Sequence, residues 1–470
     1  NAFLANLGLR KKDALFGSFV PTGNDLTTPS IFEWLNEHQE ALLAHNFKIQ
    51  QDTSEKTIFI GKTSLEIAIE EGNDWFDVKA FAIFGPYEIA FVELRDHILN
   101  RIREFVLPNG EIAIIPEAWF AQYNHLFQFS LQKDSLQLNK THIGILFEIS
   151  EHTQVSFNRK LEKLLDFQQI EDVPNPIHFK GELRPYQKAG YNWFHFLQQY
   201  NFGGCLADDM GLGKTVQTLS LLQQQKEALK NSNDSKTSLL ILPTSLVYNW
   251  QKEADKFAPQ LRILLHTGSN RVKDAYAFTH FDLIITTYGI IRSDEQLLST
   301  FFFNYIILDE SQNIKNPTSK SFKAIKLLKS RHKLALSGTP IENSVADIWS
   351  QMHFTNPGLL GSYTYFQKEF VAPIEKKKDE DKARRLQAII KPFILRRTKN
   401  QVATELPPKT EQTVFCEMSE KQAETYERTK SEYRNILLEN AIQQSGKGSQ
   451  IALLQGLTKL RQLANHPKMT

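Results

Sequence analysis

The stretch Leu206–Gln217, LADDMGLGKTVQ, decides how the rest of the chain is read. It resembles the end of a phosphate-wrapping loop. In such a loop glycines let backbone N–H groups approach a polyphosphate, a lysine reaches the outer phosphates and a hydroxyl binds Mg²⁺. Gly211 and Gly213 allow the approach, Lys214 supplies the cation and Thr215 the hydroxyl. The first glycine of the G-x-x-x-x-G-K-[ST] pattern is absent, and Asp208 stands in its place. The context still fits. GGCLA before the loop reads as a strand. TVQTLSLLQQQKEALK after it puts Val216, Leu219 and Leu222 on one helical face, so a helix N-terminus faces the phosphates. The alternative is an incidental GKT in a strand–turn–helix, and the chain holds such a decoy at Gly61-Lys62-Thr63. There the β-like run TIFI leads straight into Gly61 and leaves no room for a loop.

Outward from the loop, GGCLA, SLLILP, DLIITTY, NYIILDE and KLALSGT are short apolar runs separated by helix-length stretches. Alternating strands and helices with apolar strands predict an α/β fold, a parallel sheet covered by helices on both faces. Residues 1–170 read differently. KTIFIGK, WFDVKAFAIFG and EIAIIP are strand-like, while PSIFEWLNEHQEALLAH and EAWFAQYNHLF are helix-like, which predicts an α+β accessory domain. EDVPNPIHFKGELRPYQ, near Asp172, reads as a linker. Beyond Trp349 the chain turns helical and charged, as in EKKKDEDKARRLQAIIKPFILRRTK. Ser419–Gln422 has capping-box spacing before a long helix, and SGKGSQ from Ser445 reads as a flexible loop. The expected division is 1–170 accessory domain, 171–355 phosphate-loop lobe and 356–470 a helical protrusion with a connection onward.

Composition narrows the partners. A net charge of +2 gives no global attraction to polyanions, so any case for nucleic acid must be local. Two cysteines, Cys205 and Cys416, exclude a disulfide framework and zinc-type spacing, and fit a reducing intracellular home. No stretch approaches about 20 uncharged apolar residues, so no membrane span or membrane partner is expected. The chain starts at Asn1 without a charged-then-apolar leader, and a start without Met reads as an excerpt of a longer protein.

A second acidic element follows. NYIILDESQ is an apolar run ending in Asp309 and Glu310, and a parallel sheet puts that end beside the phosphate loop. Asp309 can then hold Mg²⁺, and Glu310 can orient and deprotonate an attacking water. Two carboxylates at a strand end are common in turns. Their pairing with the loop gives the signal its strength.

LRPYQ (Leu183–Gln187), ADDMGLGKT, ILPTSLVYNW, DLIITTYG, LDESQ and LSGTPIEN occur in one order. Together they resemble the SWI/SNF family of ATP-dependent DNA translocases in helicase superfamily two, over roughly residues 180–470. That family usually writes its loop D-E-M-G-L-G-K-T, so Asp208 fits and Asp209 stands where glutamate is usual. PFILRRTKNQVATELPPKTE and LTKLRQLANHPKM extend the likeness. The resemblance implies a RecA-like first lobe and the start of a second. It implies that Gln187 reads the adenine edge with Arg184 nearby, and that Asp209, Met210, Gly211, Leu212, Gly213, Lys214 and Thr215 cradle ATP. Thr215 and Asp309 hold Mg²⁺, and Lys214, Asp309 and Glu310 form the catalytic set. Ser337 and Thr339 couple nucleotide state to lobe motion, while Thr244, Ser245 and Thr287 touch the phosphates of one DNA strand. The family's arginine that reaches the γ-phosphate from a second lobe is not found before Thr470, and Arg396 and Arg397 in the connecting segment are not it. The chain is therefore expected to bind ATP and hydrolyse it poorly. GNDWFDVKAFAIFG followed by VLPNGEIAIIPEAWF resembles an accessory domain of bacterial members; Trp75, Phe76 and Trp119 there read as core rather than binding surface.

Lys315, Lys320, Lys323, Lys326, Lys329, Arg331 and Lys333 run without an acidic residue until Glu342, with Phe322, Ile325 and Leu328 turned inward. Such a run suits a duplex backbone, though a solvated helix face is an equal reading. The expected activity is ATP-driven translocation on double-stranded DNA, without strong sequence preference, that remodels DNA-bound protein complexes. A strand-separating helicase, an ATP-switched binding module without motor activity, and a scaffold acting through residues 1–170 are the alternatives. The expected location is the nucleoid-associated cytoplasm of a bacterium, or the nucleus of a eukaryote.

Overall fold

Each of the five apolar runs after Pro185 forms a strand in the computed structural model. The structure describes residues 2–11, 19–21, 28–51, 57–72, 75–152, 155–157, 170–229, 236–341, 344–402, 410–442 and 446–466. The strands are β1 Gly204–Leu206, β2 Ser238–Leu242, β4 Leu283–Thr287, β5 Phe302–Leu308 and β6 Lys329–Leu336. Two more are too short to show in the sequence: β3 Ile263–Leu265 and β7 Ile394–Leu395. The sheet order is β3-β4-β2-β5-β6-β1-β7, and every pairing is parallel. Every residue of β1, β2 and β4 is buried, because helices cover both faces. All carboxyl ends therefore lie along one edge. The sheet takes its last strand from beyond residue 355: Cys205 pairs with Ile394 and Leu206 with Leu395.

The expected linker is strapped to this lobe. Ile177 and His178 donate their N–H groups to the Glu227 carboxylate at 2.9 Å each, and Lys180 donates its N–H to the Phe257 carbonyl at 2.7 Å.

The first region is α+β, as expected. Trp75–Phe84 pairs antiparallel with Thr63–Glu71 and Tyr87–Ala90, and Val155–Phe157 runs parallel to Thr63–Glu71. Phe76, Phe84, Phe91, Trp119 and Phe127 fill its core, so Phe76 and Trp119 are packing residues. Trp75 is half-buried, its Nε1–H on Asp77. Two expectations need correction here. The described part of KTIFIGK, Thr57–Lys62, makes only an isolated bridge at Ile58, because Gly61 sits against the Phe59 ring and gives its N–H to Asn36. The strand begins at Thr63, so this GKT opens a strand and has no helix N-terminus behind it. EAWFAQYNHLF makes two short helices, Glu117–Gln122 and Asn124–Gln128.

This region packs on the helical insertion that follows residue 355. Helix Ile143–His152 lies against helix Glu380–Ile390 so closely that a Cβ on Gly144 would sit 2.7 Å from Ile389 Cα. Nearby, the Tyr365 hydroxyl bridges His125 Nδ1 at 3.1 Å and Gln128 Oε1 at 2.7 Å, and the His125 ring stacks on Phe370. The insertion helix breaks at Lys378, which is left-handed (φ 53°), within the charged run.

Residues 404–470 form a second compact unit, a hairpin of helices Glu420–Ile442 and Gly446–Asn465. The Gln422 amide donates to the Leu463 and Ala464 carbonyls at the end of the second helix. The expected loop at SGKGSQ is corrected: Ser445 lies outside the described residues, and Gly446–Gln450 opens the second helix. Glycines are tolerated there because the first turn leaves its N–H groups unbonded within the helix in any case.

Burial pushes His142, His195 and His332 each down to about 4 from 6.5. The unfolded chain protonates them near the ordinary value, so unfolding takes up protons as pH falls. Their contribution to stability is complete above pH 6.5 and is lost progressively as pH falls towards about 4. Urea midpoints should drop across this window, and His142→Gln should make the drop shallower. An unchanged slope in the variant would remove His142 from the account.

Candidate nucleotide-binding site

The loop is built by its neighbours. It leaves β1 at Leu206 and enters helix α1, Lys214–Ala228. Gly211 (φ 87°) and Gly213 (φ 78°) are left-handed, which glycine adopts without cost. A Cβ on Gly213 would also lie 2.5 Å from Gln187 Nε2. The buried Gln187 amide donates to the Leu212 carbonyl at 3.2 Å, and its oxygen accepts the Arg184 N–H at 3.0 Å. Thr215 lies half-exposed in the first turn of α1. The exposed Met210 side chain packs beside Gly338. Lys214 Nζ donates to the Asp208 carbonyl at 2.6 Å and to the Asp209 carbonyl at 3.4 Å. Burial lowers the Lys214 pKa, against the pull of Glu310, Asp208, Asp309 and Asp209.

Asp208, at the position of the missing glycine, is fully buried and does not face the loop's open side. Its carboxylate accepts from Arg397 Nε at 2.9 Å and Nη2 at 2.5 Å, and from Gln217 Nε2 at 3.4 Å. Arg397 also donates to Gln217 Oε1 and to the Tyr186 carbonyl. Nothing in the motif marks Arg397 for this partner; only the return of β7 beside β1 brings the two together.

The acidic pair is at the end of β5. Asp309 is buried and accepts Trp250 Nε1–H at 2.7 Å and the Glu310 N–H at 2.9 Å. Burial raises its pKa, and the tryptophan bond opposes the rise. Glu310 is left-handed, with φ 49° and ψ 54°. Gln312 was missed by the sequence reading. Its amide donates to Glu310 Oε2 at 2.7 Å, its oxygen accepts the Ser337 hydroxyl at 3.0 Å, and the Ser337 oxygen accepts the Thr339 N–H at 3.0 Å. A continuous hydrogen-bond path thus joins Glu310 to the SGTP turn after β6. Its only sequence signal was the proximity of Gln312 to the acidic pair.

Oxygen donors at Thr215 and Asp309, beside a lysine and glycine-exposed backbone N–H groups, fit a hard cation carried by a polyphosphate. Among the described residues no cluster of three His, Cys, Asp or Glu side chains forms, so phosphate and water oxygens would complete such a shell.

Thr244, Ser245 and Thr287 follow or end strands of the same edge with different exposure, and the lysine run leads back to the start of β6. Thr244 and Ser245 are exposed in a short turn after β2. Thr287 is buried, and its hydroxyl caps helix Tyr288–Ser293 by accepting the Ile290 N–H at 3.4 Å. In helix Lys320–Leu327, Phe322 and Ile325 are buried, as is Leu328 after it, and the three lysines are exposed. Lys333 leaves the run: it is half-buried over the Phe354 ring, 5.4 Å from its centroid, and burial lowers its pKa.

A parallel sheet with a glycine-lysine loop after one strand and an acidic pair after another defines a phosphate-loop lobe. The SNF2-related domain matches residues 186–469, and the chain belongs to that family, which bears out the SWI/SNF resemblance. It is 42% identical over 331 residues to the putative ATP-dependent helicase/translocase YwqA of Bacillus subtilis, covering 69% of this chain and 35% of that protein. It is 35% identical over 334 residues to the TATA-binding protein-associated factor MOT1 of Saccharomyces cerevisiae, covering 66% of this chain and 18% of that one. The Sulfolobus solfataricus SWI2/SNF2 ATPase core in complex with dsDNA is 44% identical, over 63% of this chain and 61% of that chain, with a TM-score of 0.46. The chain thus spans about a third of the Bacillus relative. Among the described residues no helix is long and apolar enough to cross a membrane.

Trp250→Phe removes the N–H that favours the ionised Asp309 carboxyl. The Asp309 pKa should rise further, read by carboxyl carbon NMR titration. An unmoved pKa would show that burial alone sets it.

Proposed function

We propose that this chain is the ATP-binding motor lobe of a DNA-dependent ATPase that translocates on double-stranded DNA and remodels DNA-bound protein complexes. One observation carries the reading: the Lys214 loop, the Asp309–Glu310 pair and the Ser337–Thr339 turn share the carboxyl edge of one parallel sheet. In this reading residues 1–170 are the accessory domain, and the lobe takes in the β7 return as well as 171–355. Arg184 and Gln187 flank the base. Gln187 contributes through the loop it braces as well as through any contact to the base, since both ends of its amide are engaged. Residues 209–215 surround the phosphates.

Lys214 neutralises the outer phosphates; its lowered pKa reflects the burial that makes a phosphate partner favourable. Mg²⁺, held by Thr215 and Asp309, would supply charge neutralisation on the phosphate oxygens. Glu310 orients the attacking water and takes its proton. Gln312 reports the state of Glu310 to Ser337 and Thr339. Thr244 and Ser245 contact backbone phosphates, and Thr287 caps helix Tyr288–Ser293 after the neighbouring strand β4.

Fluorescent ATP binding and steady-state hydrolysis, each with and without duplex DNA, test the proposal. Lys214→Ala should weaken binding at least about tenfold, the loss of one charge-assisted contact. Glu310→Gln should bind ATP normally and lose about 10²–10⁴ in turnover. Duplex DNA should stimulate hydrolysis. DNA-independent hydrolysis with ATP-dependent DNA affinity would favour a binding switch, and displacement of a paired strand would favour a helicase.

A further inference from the structure

The peptide units that hold Lys214 also hold the segment by which the chain leaves this lobe. On one side of the loop, Lys214 Nζ donates to the carbonyls of Asp208 and Asp209. On the other, Ala207 N–H donates to the Leu395 carbonyl at 2.7 Å and Asp209 N–H to the Arg397 carbonyl at 3.0 Å. Asp209 Oδ2 accepts the Lys399 N–H at 3.0 Å. Arg397 reaches back from the same segment to three elements: the Asp208 carboxylate, Gln217 of α1 and the Tyr186 carbonyl, with its guanidinium 5.6 Å from the Tyr186 ring centroid. Gly190 leaves room for this cluster, since a Cβ there would lie 2.0 Å from Gln217 Oε1 and 2.9 Å from Arg397 Nη2.

We propose that Arg397 is a positioning residue that couples phosphate binding at Lys214 to residues 397–402. The inference rests on the ATP reading of the loop. A phosphate that draws Lys214 Nζ toward itself competes with the Asp208 and Asp209 carbonyls. Those two peptide units must then adjust. A soft contact would absorb the adjustment. A two-pronged guanidinium–carboxylate pair with no exposed carboxylate surface does not, because parting it leaves a buried charge without a partner. The displacement therefore passes along Arg397 and the Asp209–Lys399 bond into the short helix Lys399–Val402, where the chain leaves this unit. Lysine cannot make the same link, because it lacks the planar fork that engages both carboxylate oxygens, Gln217 and Tyr186 together.

The test pairs fluorescent-nucleotide binding with hydrogen–deuterium exchange of the peptides spanning 207–213 and 395–402, with and without a non-hydrolysable ATP analogue. In the wild-type chain the analogue should change exchange at Asp209 and Lys399. Arg397→Lys should keep nucleotide binding and lose most of the response of 397–402. With Lys399→Ala as the control for loss of the side chain near Gly211, Lys399→Pro removes the N–H bonded to Asp209, at a first helical position where proline is tolerated. It should also keep binding and weaken the response, without disturbing the buried pair. A wild-type chain that binds the analogue with no change in 395–402, or an Arg397→Lys chain with the full response, would overturn the coupling while leaving the site reading intact. No binding by the wild-type chain would overturn both.

Discussion

A carboxylate with no exposed surface must find a cation or lose its charge, and Asp208 finds Arg397. This requirement organises the lobe. Arg397 follows β7 by two residues, so satisfying Asp208 fixes β7 beside β1 and ends the sheet there. It also explains why the loop tolerates aspartate where a glycine is usual. Asp208 does not enter the left-handed region that Gly211 and Gly213 occupy, so no glycine is needed at that position. The residue is there for the sheet edge, and the glycines after it are there for the loop.

A different constraint operates at the second acidic element. Glu310 holds a left-handed backbone, which costs a non-glycine residue of order 1–2 kcal/mol. Its neighbours secure it: the Asp309 carboxylate accepts its N–H, Asn313 donates twice to its carbonyl, and Gln312 donates to its side chain. Asp309 is itself pinned by Trp250, and its backbone carbonyl accepts the Tyr288 hydroxyl at 2.8 Å. The turn is preorganised by groups from three other elements, so its two carboxylates point in directions that a free strand end would not hold.

The sheet was legible because parallel strands buried on both faces must be apolar throughout, and the glycine-lysine loop because its backbone demands glycine at two positions. Features that depend on long-range partners were not legible. β7 has two residues and no periodicity to read, and its place comes from its pairing with Cys205 and Leu206. KTIFIGK has strand composition, yet its Gly61 N–H serves Asn36. Gln312 looked like a flanking residue and Thr287 like a phosphate contact, and only the fold shows one bridging two turns and the other capping a helix. Lys333 belonged to a charge run by spacing, and to the packing over Phe354 by structure.

The same partners bear on the helical insertion between residues 355 and 394. Its helix Glu380–Ile390 is pressed against Gly144 of the first region, with backbone against backbone, and Tyr365 and Phe370 close around His125. Just beyond helix Glu380–Ile390 the chain returns through β7 to Arg397 and the phosphate loop. An insertion held at both places cannot move without disturbing either a close helix contact or a buried ion pair. Close-packed contacts of this kind are displaced as units rather than bent. The first region is therefore mechanically continuous with the loop, although none of its described residues enters the site.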